Sequence, residues 1–112
     1  MEALQLEMQA IEQANSKQLQ DALCTFAQAI TRWPTRASIY NNRAQVHRLL
    51  NQLDDAKNDL DQAILLSDQE GKDRNEFVAR QAYCQRALIH LLRENKEQGK
   101  YWRGHQVVET KW

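Results

Sequence analysis

The chain repeats itself with a period of 34 residues. Seven residues return at this spacing: Gln18, Leu19, Asp21, Ala22, Gln28, Ala29 and Ile30 recur as Gln52, Leu53, Asp55, Ala56, Gln62, Ala63 and Ile64. A period of this length is typical of arrays whose units cannot bury their own apolar face and stack to share one core. The repeat therefore predicts a stack of small units, an architecture that usually serves recognition.

The composition favours α-helix along almost the whole chain, which contains one proline and three glycines among 112 residues. Apolar residues follow helical spacing up to Pro34, which marks a turn into the next segment. The patterns predict helices over 3–15, 19–32, 37–50, 54–68 and 74–93, with a less regular sixth over 96–110. Short polar joints make consecutive helices antiparallel neighbours, so we expect an all-α ladder of helical hairpins.

A third unit follows after an insertion. Five residues of the second unit, Tyr40, Arg43, Ala44, His47 and Leu49, recur 43 residues later as Tyr83, Arg86, Ala87, His90 and Leu92. The nine extra residues fit best near 67–75, where they either lengthen the flanking helices or form a surface loop. We therefore predict one domain over 1–112, with repeats at about 3–36, 37–70 and 80–112, the last one degenerate.

Small and aromatic residues sit at positions that suit close helix packing. Alanines at 22, 29, 44, 56, 63 and 87 allow helix axes to approach closely, and we expect Phe26, Tyr40, Leu60 and Tyr83 to fill the space between helices. With Pro34, these residues resemble the tetratricopeptide repeat, a unit of two antiparallel helices. The resemblance implies a short array with a non-enzymatic role as a protein-binding adaptor, with kinship to chaperone-associated proteins.

In a hairpin array the first helices line a concave groove. On the second of them, a polar stripe away from the core comprises Ser38, Asn41, Asn42, Gln45 and Arg48. The third contributes a more apolar face of Gln81, Cys84, Gln85, Leu88 and Leu92. Amides donate and accept together, so the candidate peptide-binding residues are Asn41, Asn42, Gln45, Arg48, Gln81 and Gln85. The competing interpretations are a solvated helix face for the amides, and a core covered by a following helix for Leu88, Leu91 and Leu92.

Chaperone-binding members of the resembled family hold an acidic peptide end in a clamp of lysine, arginine and asparagine side chains. The matching positions here are Glu7, Ile11, Asn42, Gln81 and Gln85, of which only the asparagine fits the clamp. Binding a carboxylate requires positive charge to offset its desolvation, and Glu7 has the wrong sign. We therefore expect no binding of acidic chaperone tails by that mechanism.

The charge pattern and the side-chain inventory argue against several classes of function. Basic and acidic residues number 15 each and are interspersed, which disfavours nucleic acid and membrane partners, including RNA-reading helical repeats of similar period. No metal-ligand spacing, phosphate loop or nucleophile pair occurs, so we predict no metal, no cofactor and no enzymatic activity. Cys24 and Cys84 are interpreted as buried or half-buried apolar residues of a cytoplasmic or nuclear protein.

The C-terminal segment leaves two hypotheses open. Tyr101, His105, Val108 and Trp112 fall at i, i+4, i+7 and i+11, so a sixth helix could cap the array with an aromatic face. Alternatively, exposed Trp102 and Trp112 mediate self-association, which would make the protein a structural module.

Overall fold

The computed structural model describes residues 2–69 and 72–104, and within them it describes the side chains of 3–69 and 76–95. These residues form five helices and no strand: α1 Glu2–Asn15, α2 Leu19–Arg32, α3 Ala37–Leu49, α4 Leu53–Gln69 and α5 Lys72–Gly104. The predicted all-α class is confirmed. The first four helices also begin and end within one residue of the predicted bounds.

The helices pack as a ladder of antiparallel hairpins. α1 packs on α2, α3 packs on α4, and α4 also packs on α5, while α3 contacts α1 and α5. The first helices of successive hairpins are therefore neighbours, as the groove hypothesis requires.

The two turns inside the hairpins share one backbone geometry. Lys17 donates its N–H to the carbonyl three residues earlier, and Gln18 donates to the carbonyl five residues earlier, at 3.0 and 2.8 Å. The same two bonds recur 34 residues later at Asn51 and Gln52, at 2.9 and 2.8 Å. This pair of bonds closes a helix C-terminus around one residue in the left-handed conformation. Lys17 has φ 67° and Asn51 has φ 63°, so the sequence period is also a period of turn geometry.

Replacing Lys17 with glycine is expected to stabilise the protein by about 0.5–1 kcal/mol, because glycine adopts positive φ without the penalty that a β-carbon causes. The matched change Asn51→Gly should shift stability by less than about 0.5 kcal/mol, since asparagine tolerates this conformation. Urea denaturation of the two variants measures the difference. Equal effects at both positions would show that the left-handed backbone is not the cause.

The small residues allow close packing where the repeat is intact. Five of the six predicted alanines, Ala22, Ala29, Ala44, Ala56 and Ala63, are 0% exposed. One core cluster surrounds Phe26 between α1, α2 and α3, and the other surrounds Leu60 between α3, α4 and α5. The expectation for the third unit is wrong, because Ala87 is exposed and Tyr83 is 49% exposed. No described helix covers that side of α5 as α4 covers the matching side of α3.

The insertion is absorbed by longer helices, one of the two outcomes that the sequence left open. α4 continues to Gln69 and α5 begins at Lys72. α5 then runs without interruption through Gly104, so the prediction of a separate sixth helix from residue 96 is wrong up to that point. Residues 105–112 lie outside the described chain, as do the side chains of Tyr101 and Trp102. The helix that caps the array and the self-association through Trp102 and Trp112 therefore stay predictions.

Ion pairs connect α4 to both of its neighbours. Arg43 of α3 holds Asp59 of α4 with two hydrogen bonds, of 2.8 and 2.7 Å. Arg86 of α5 donates to Asp61 at 2.9 Å, and Lys57 donates to the same carboxylate at 3.0 Å. Burial alone would raise the pKa of Asp61, but these two hydrogen bonds and the positive charges of Arg86 and Lys57 together outweigh it, so the pKa lies below its ordinary value.

Both cysteines carry free thiols and are exposed. The interpretation of Cys24 and Cys84 as buried or half-buried apolar residues is therefore wrong. Each lies on a helix face that no described neighbour covers.

Candidate functional site

One face of the array is built from the first helices α1, α3 and α5. We call it the first-helix face, defined by Ile11 and Asn15 of α1, Ser38, Asn42, Gln45, Arg48 and Leu49 of α3, and Gln81, Gln85 and Leu88 of α5. It contains most of the residues that the sequence singles out. Their surroundings differ considerably from one helix to the next.

A pocket of about 110 Å³ opens between α1 and α3 on this face. Its floor is formed by Phe26 and Val46, which are 1% and 2% exposed. Its remaining lining combines apolar and amide side chains: Ile11, Ala14, Asn15, Asn42, Gln45 and Leu49. The pocket therefore offers apolar surface beside groups that can both donate and accept hydrogen bonds.

The carboxylate of Glu7 lies beside this pocket but beneath the surface. Glu7 is only 3% exposed and accepts hydrogen bonds from Arg36 Nε at 2.6 Å, Ser38 Oγ at 2.6 Å and Asn42 Nδ2 at 3.3 Å. The guanidinium of Arg36 compensates its charge, since a buried carboxylate needs both a partner charge and hydrogen bonds. Sequence reasoning considered only the sign of the Glu7 charge and missed this network.

Other candidate residues are used within the protein. Asn41 is 4% exposed, and its amide oxygen accepts a hydrogen bond of 2.8 Å from Gln85 Nε2, which ties α3 to α5. Asn41 is therefore not part of the open surface. Gln81 and Arg48 are half-buried. Two of the candidate side chains, Arg48 and Gln85, each have one buried polar atom, Nε and Oε1 respectively, without a hydrogen-bond partner among the described residues.

An apolar stripe on α1 adjoins the pocket and was missed from the sequence. Leu4, Met8 and Ile11 are 52%, 58% and 37% exposed and follow the spacing i, i+4, i+7. That spacing was visible in the sequence, but it is also what a core-facing stripe would show. The packing of α1 distinguishes an exposed stripe from a core-facing one, because α1 contacts α2 and α3 through its other side.

The leucines of α5 do not share one environment. The favoured interpretation was that a following helix covers Leu88, Leu91 and Leu92. It is wrong for two of them within the described chain, since Leu88 is 37% and Leu91 is 57% exposed. Leu92 is half-buried and packs against the core that surrounds Leu60.

A larger recess of about 560 Å³ lies between α1 and α2, outside the first-helix face. It is lined by Gln5, Leu6, Gln9, Gln28, Thr31 and Arg32. It involves the two helices of one hairpin only, whereas the smaller pocket joins successive units.

Among the described residues, no group of three or more His, Cys, Asp or Glu side chains is arranged to hold a metal ion. None of the helices in that part of the chain is long and apolar enough to cross a bilayer.

Sequence comparison finds several curated relatives. The chain is 44% identical to tetratricopeptide repeat protein 36 of Bos taurus over 87 residues, which is 78% of this chain and 44% of the relative. It is 45% identical to the protein of the same name from Danio rerio over 95 residues, 85% of this chain and 48% of the relative. A Drosophila melanogaster homolog is 34% identical over 93 residues.

The chain spans about half the length of these relatives. No protein family model matches it.

Proposed function

Since the chain belongs to the tetratricopeptide repeat family, we propose that it is a non-enzymatic adaptor that binds a peptide or partner helix on its first-helix face. The observation that carries this proposal is the pocket between α1 and α3, where apolar side chains and three amides converge. Stacked helical repeats bind partners on such extended surfaces. The proposed compartment is the cytoplasm, or alternatively the nucleus, where the free thiols Cys24 and Cys84 would stay reduced.

The lining of the pocket suits a segment of backbone with an apolar side chain. Gln45 and Asn15 present donors and acceptors that match those of a peptide group. Ile11 and Leu49, 37% and 59% exposed, provide apolar contacts beside them. No charged residue is among the described residues that line the pocket, so the preferred ligand segment is uncharged at this point.

The surroundings of Asn42 disfavour an acidic chaperone tail as the ligand. The amide nitrogen of Asn42, the one residue that fits the clamp, donates to Glu7. Arg36 and Ser38, which could also bind a carboxylate, donate to the same Glu7 side chain. An external carboxylate would have to compete with an internal one that is already well bound. We therefore propose a ligand whose binding does not depend on an acidic end.

Substituting Gln45 with alanine is expected to weaken the binding of a groove ligand by about 5- to 10-fold, the effect of losing about one net hydrogen bond. The ligand would be a peptide selected from a displayed random library, and calorimetric titration would measure its affinity. The matched control is Gln28→Ala, which removes an exposed glutamine from the α1–α2 recess and should leave affinity unchanged.

If the affinity depends on Gln28 and not on Gln45, the peptide binds in the α1–α2 recess and not in the pocket between α1 and α3. Failure to select any peptide would count against peptide binding itself. Chemical-shift changes in the side-chain amides of Asn15 and Gln45 on titration would report contact at the pocket directly.

A further inference from the structure

Both oxygens of the Glu7 carboxylate are bound by side chains that lie close together in the sequence. Oε1 accepts a hydrogen bond from Arg36 Nε, and Oε2 accepts from Ser38 Oγ and from Asn42 Nδ2. We call these three donor side chains the carboxylate cradle. They all belong to α3 and the residue directly before it, whereas Glu7 belongs to α1. One short segment therefore supplies every donor of the cradle, and a different helix supplies the carboxylate.

The start of α3 has no acidic residue of its own. Among three helices that the structure describes in full, the first turn of α2 contains Asp21 and that of α4 contains Asp54 and Asp55, but that of α3 contains no acidic residue. The N-terminus of a helix favours a negative charge, because the peptide dipoles and the free N–H groups point their positive ends towards it. Glu7 thus supplies from α1 the anion that α2 and α4 contain within their own first turns.

We propose that the carboxylate cradle is a binding site for a carboxylate ligand and that Glu7 is its built-in occupant. The cradle combines a guanidinium, which compensates the charge, with a separate hydrogen-bond donor for the second oxygen. It also lies within reach of an external group. The Arg36 side chain is 41% exposed, and Asn42 lines the pocket between α1 and α3. An external carboxylate is kept out because Glu7 fills the cradle.

Residue 7 then determines the class of ligand that the first-helix face binds, a step that rests on the proposed function. While Glu7 fills the cradle, the face takes a ligand segment without a carboxylate at this point. Without the Glu7 carboxylate, the three donors of the cradle have no acceptor. Unsatisfied donors disfavour every ligand that cannot pair with them, so the same face should then prefer an acidic segment.

Acetate tests the cradle without any peptide. Replacing Glu7 with alanine keeps the β-carbon, so acetate matches the group that is removed. Thermal unfolding of Glu7→Ala is followed by circular dichroism at neutral pH, in sodium acetate and in sodium chloride of equal ionic strength. We expect acetate to raise the melting temperature saturably, by about 5 °C at roughly ten times its dissociation constant. If Glu7→Ala is unfolded in chloride, acetate should restore its helicity.

The controls separate the cradle from general effects of salt. The wild-type chain and Glu7→Gln, whose side chain still fills the cradle, should melt at the same temperature in both salts. The double variant Glu7→Ala with Arg36→Met lacks the guanidinium and should not respond to acetate. Acetamide, the neutral counterpart of acetate, should not stabilise Glu7→Ala. Equal melting of Glu7→Ala in the two salts, or an equal acetate response in the double variant, would overturn the proposal.

A displayed random peptide library tests the effect of residue 7 on ligand class. Peptides selected on Glu7→Ala should be enriched in aspartate and glutamate compared with peptides selected on the wild-type chain. An equal acidic content in the two sets would show that residue 7 does not determine the ligand class. If the wild-type chain selects no peptide, the result counts against the proposed function alone, because the acetate titration decides the carboxylate site by itself.

Discussion

Replacing Phe26 with alanine is expected to lower the free energy of unfolding by about 3–5 kcal/mol, the cost of truncating a buried phenylalanine. Phe26 is 1% exposed and lies in the core between α1, α2 and α3, with Ala10, Ile39 and Val46. Truncation removes apolar contacts to all three helices at once. A domain of this size is stable by only about 5–15 kcal/mol, so the variant should be near the limit of folding. Urea denaturation monitored by circular dichroism measures the loss.

The same substitution on α5 provides the control. Phe77 is 70% exposed, so Phe77→Ala should change the stability of the single chain by less than about 0.5 kcal/mol. Equal losses for the two variants would mean that the array is not packed around Phe26.

Replacing Asp59 with alanine should cost about 2–4 kcal/mol, because it leaves the Arg43 guanidinium without its partner in a largely buried position. Asp59 is 5% exposed, and it accepts two hydrogen bonds from Arg43 while His47 Nε2 lies 3.6 Å from its carboxylate. The hydrogen bond to Asp59 is the main cause of the raised pKa of Arg43, so the Arg43 side chain stays positively charged throughout the physiological range. The Arg43 side chain is 25% exposed, which places the expected cost below that of a fully buried pair.

Two further variants separate the ion pair from general effects of substitution. Glu76→Ala removes the partner of Arg80 in an exposed pair whose side chains are 60% and 73% exposed, and should cost less than about 0.5 kcal/mol. The double substitution Arg43→Met with Asp59→Leu should lose less stability than Asp59→Ala alone, because no unpaired charge remains. A double variant less stable than Asp59→Ala would show that the pair contributes more than charge compensation.

The hairpins could be predicted from the sequence because their signals are local and occur more than once. Helical periodicity fixed the positions of α1 to α4, and the alanines at 34-residue intervals identified the close contacts between them. The geometry of the turns was harder to predict from the sequence. Lys17 and Asn51 carry the left-handed conformation usually signalled by glycine, and neither is glycine.

The incorrect prediction of a helix boundary within α5 also has a local cause. Nothing between residues 93 and 96 breaks a helix: there is no proline, and the first glycine after residue 93 is Gly99. The helical patterns predicted separate helices over 74–93 and 96–110. The backbone instead remains helical through Gly104, where each added residue contributes one more hydrogen bond.

The candidate site depended far more on tertiary contacts. The amides of α3 were identified from helical spacing, and two of them, Asn42 and Gln45, do line one pocket. The same spacing could not separate Asn41, which is buried against Gln85, from Asn42 one residue later. It also gave no reason to pair Glu7 with Arg36, which is 29 residues away.

The sequence by itself determined that this protein is an array of helical hairpins, because the 34-residue period and the helical periodicity are repeated signals that each unit carries within itself. Only the tertiary structure decided which polar and apolar groups are available to a partner. Burial of Glu7 and Asn41 depends on a neighbouring helix, and so does the exposure of Leu4 and Leu91. The sequence of a helix shows which of its faces are apolar. Which neighbour covers a given face depends on contacts between units.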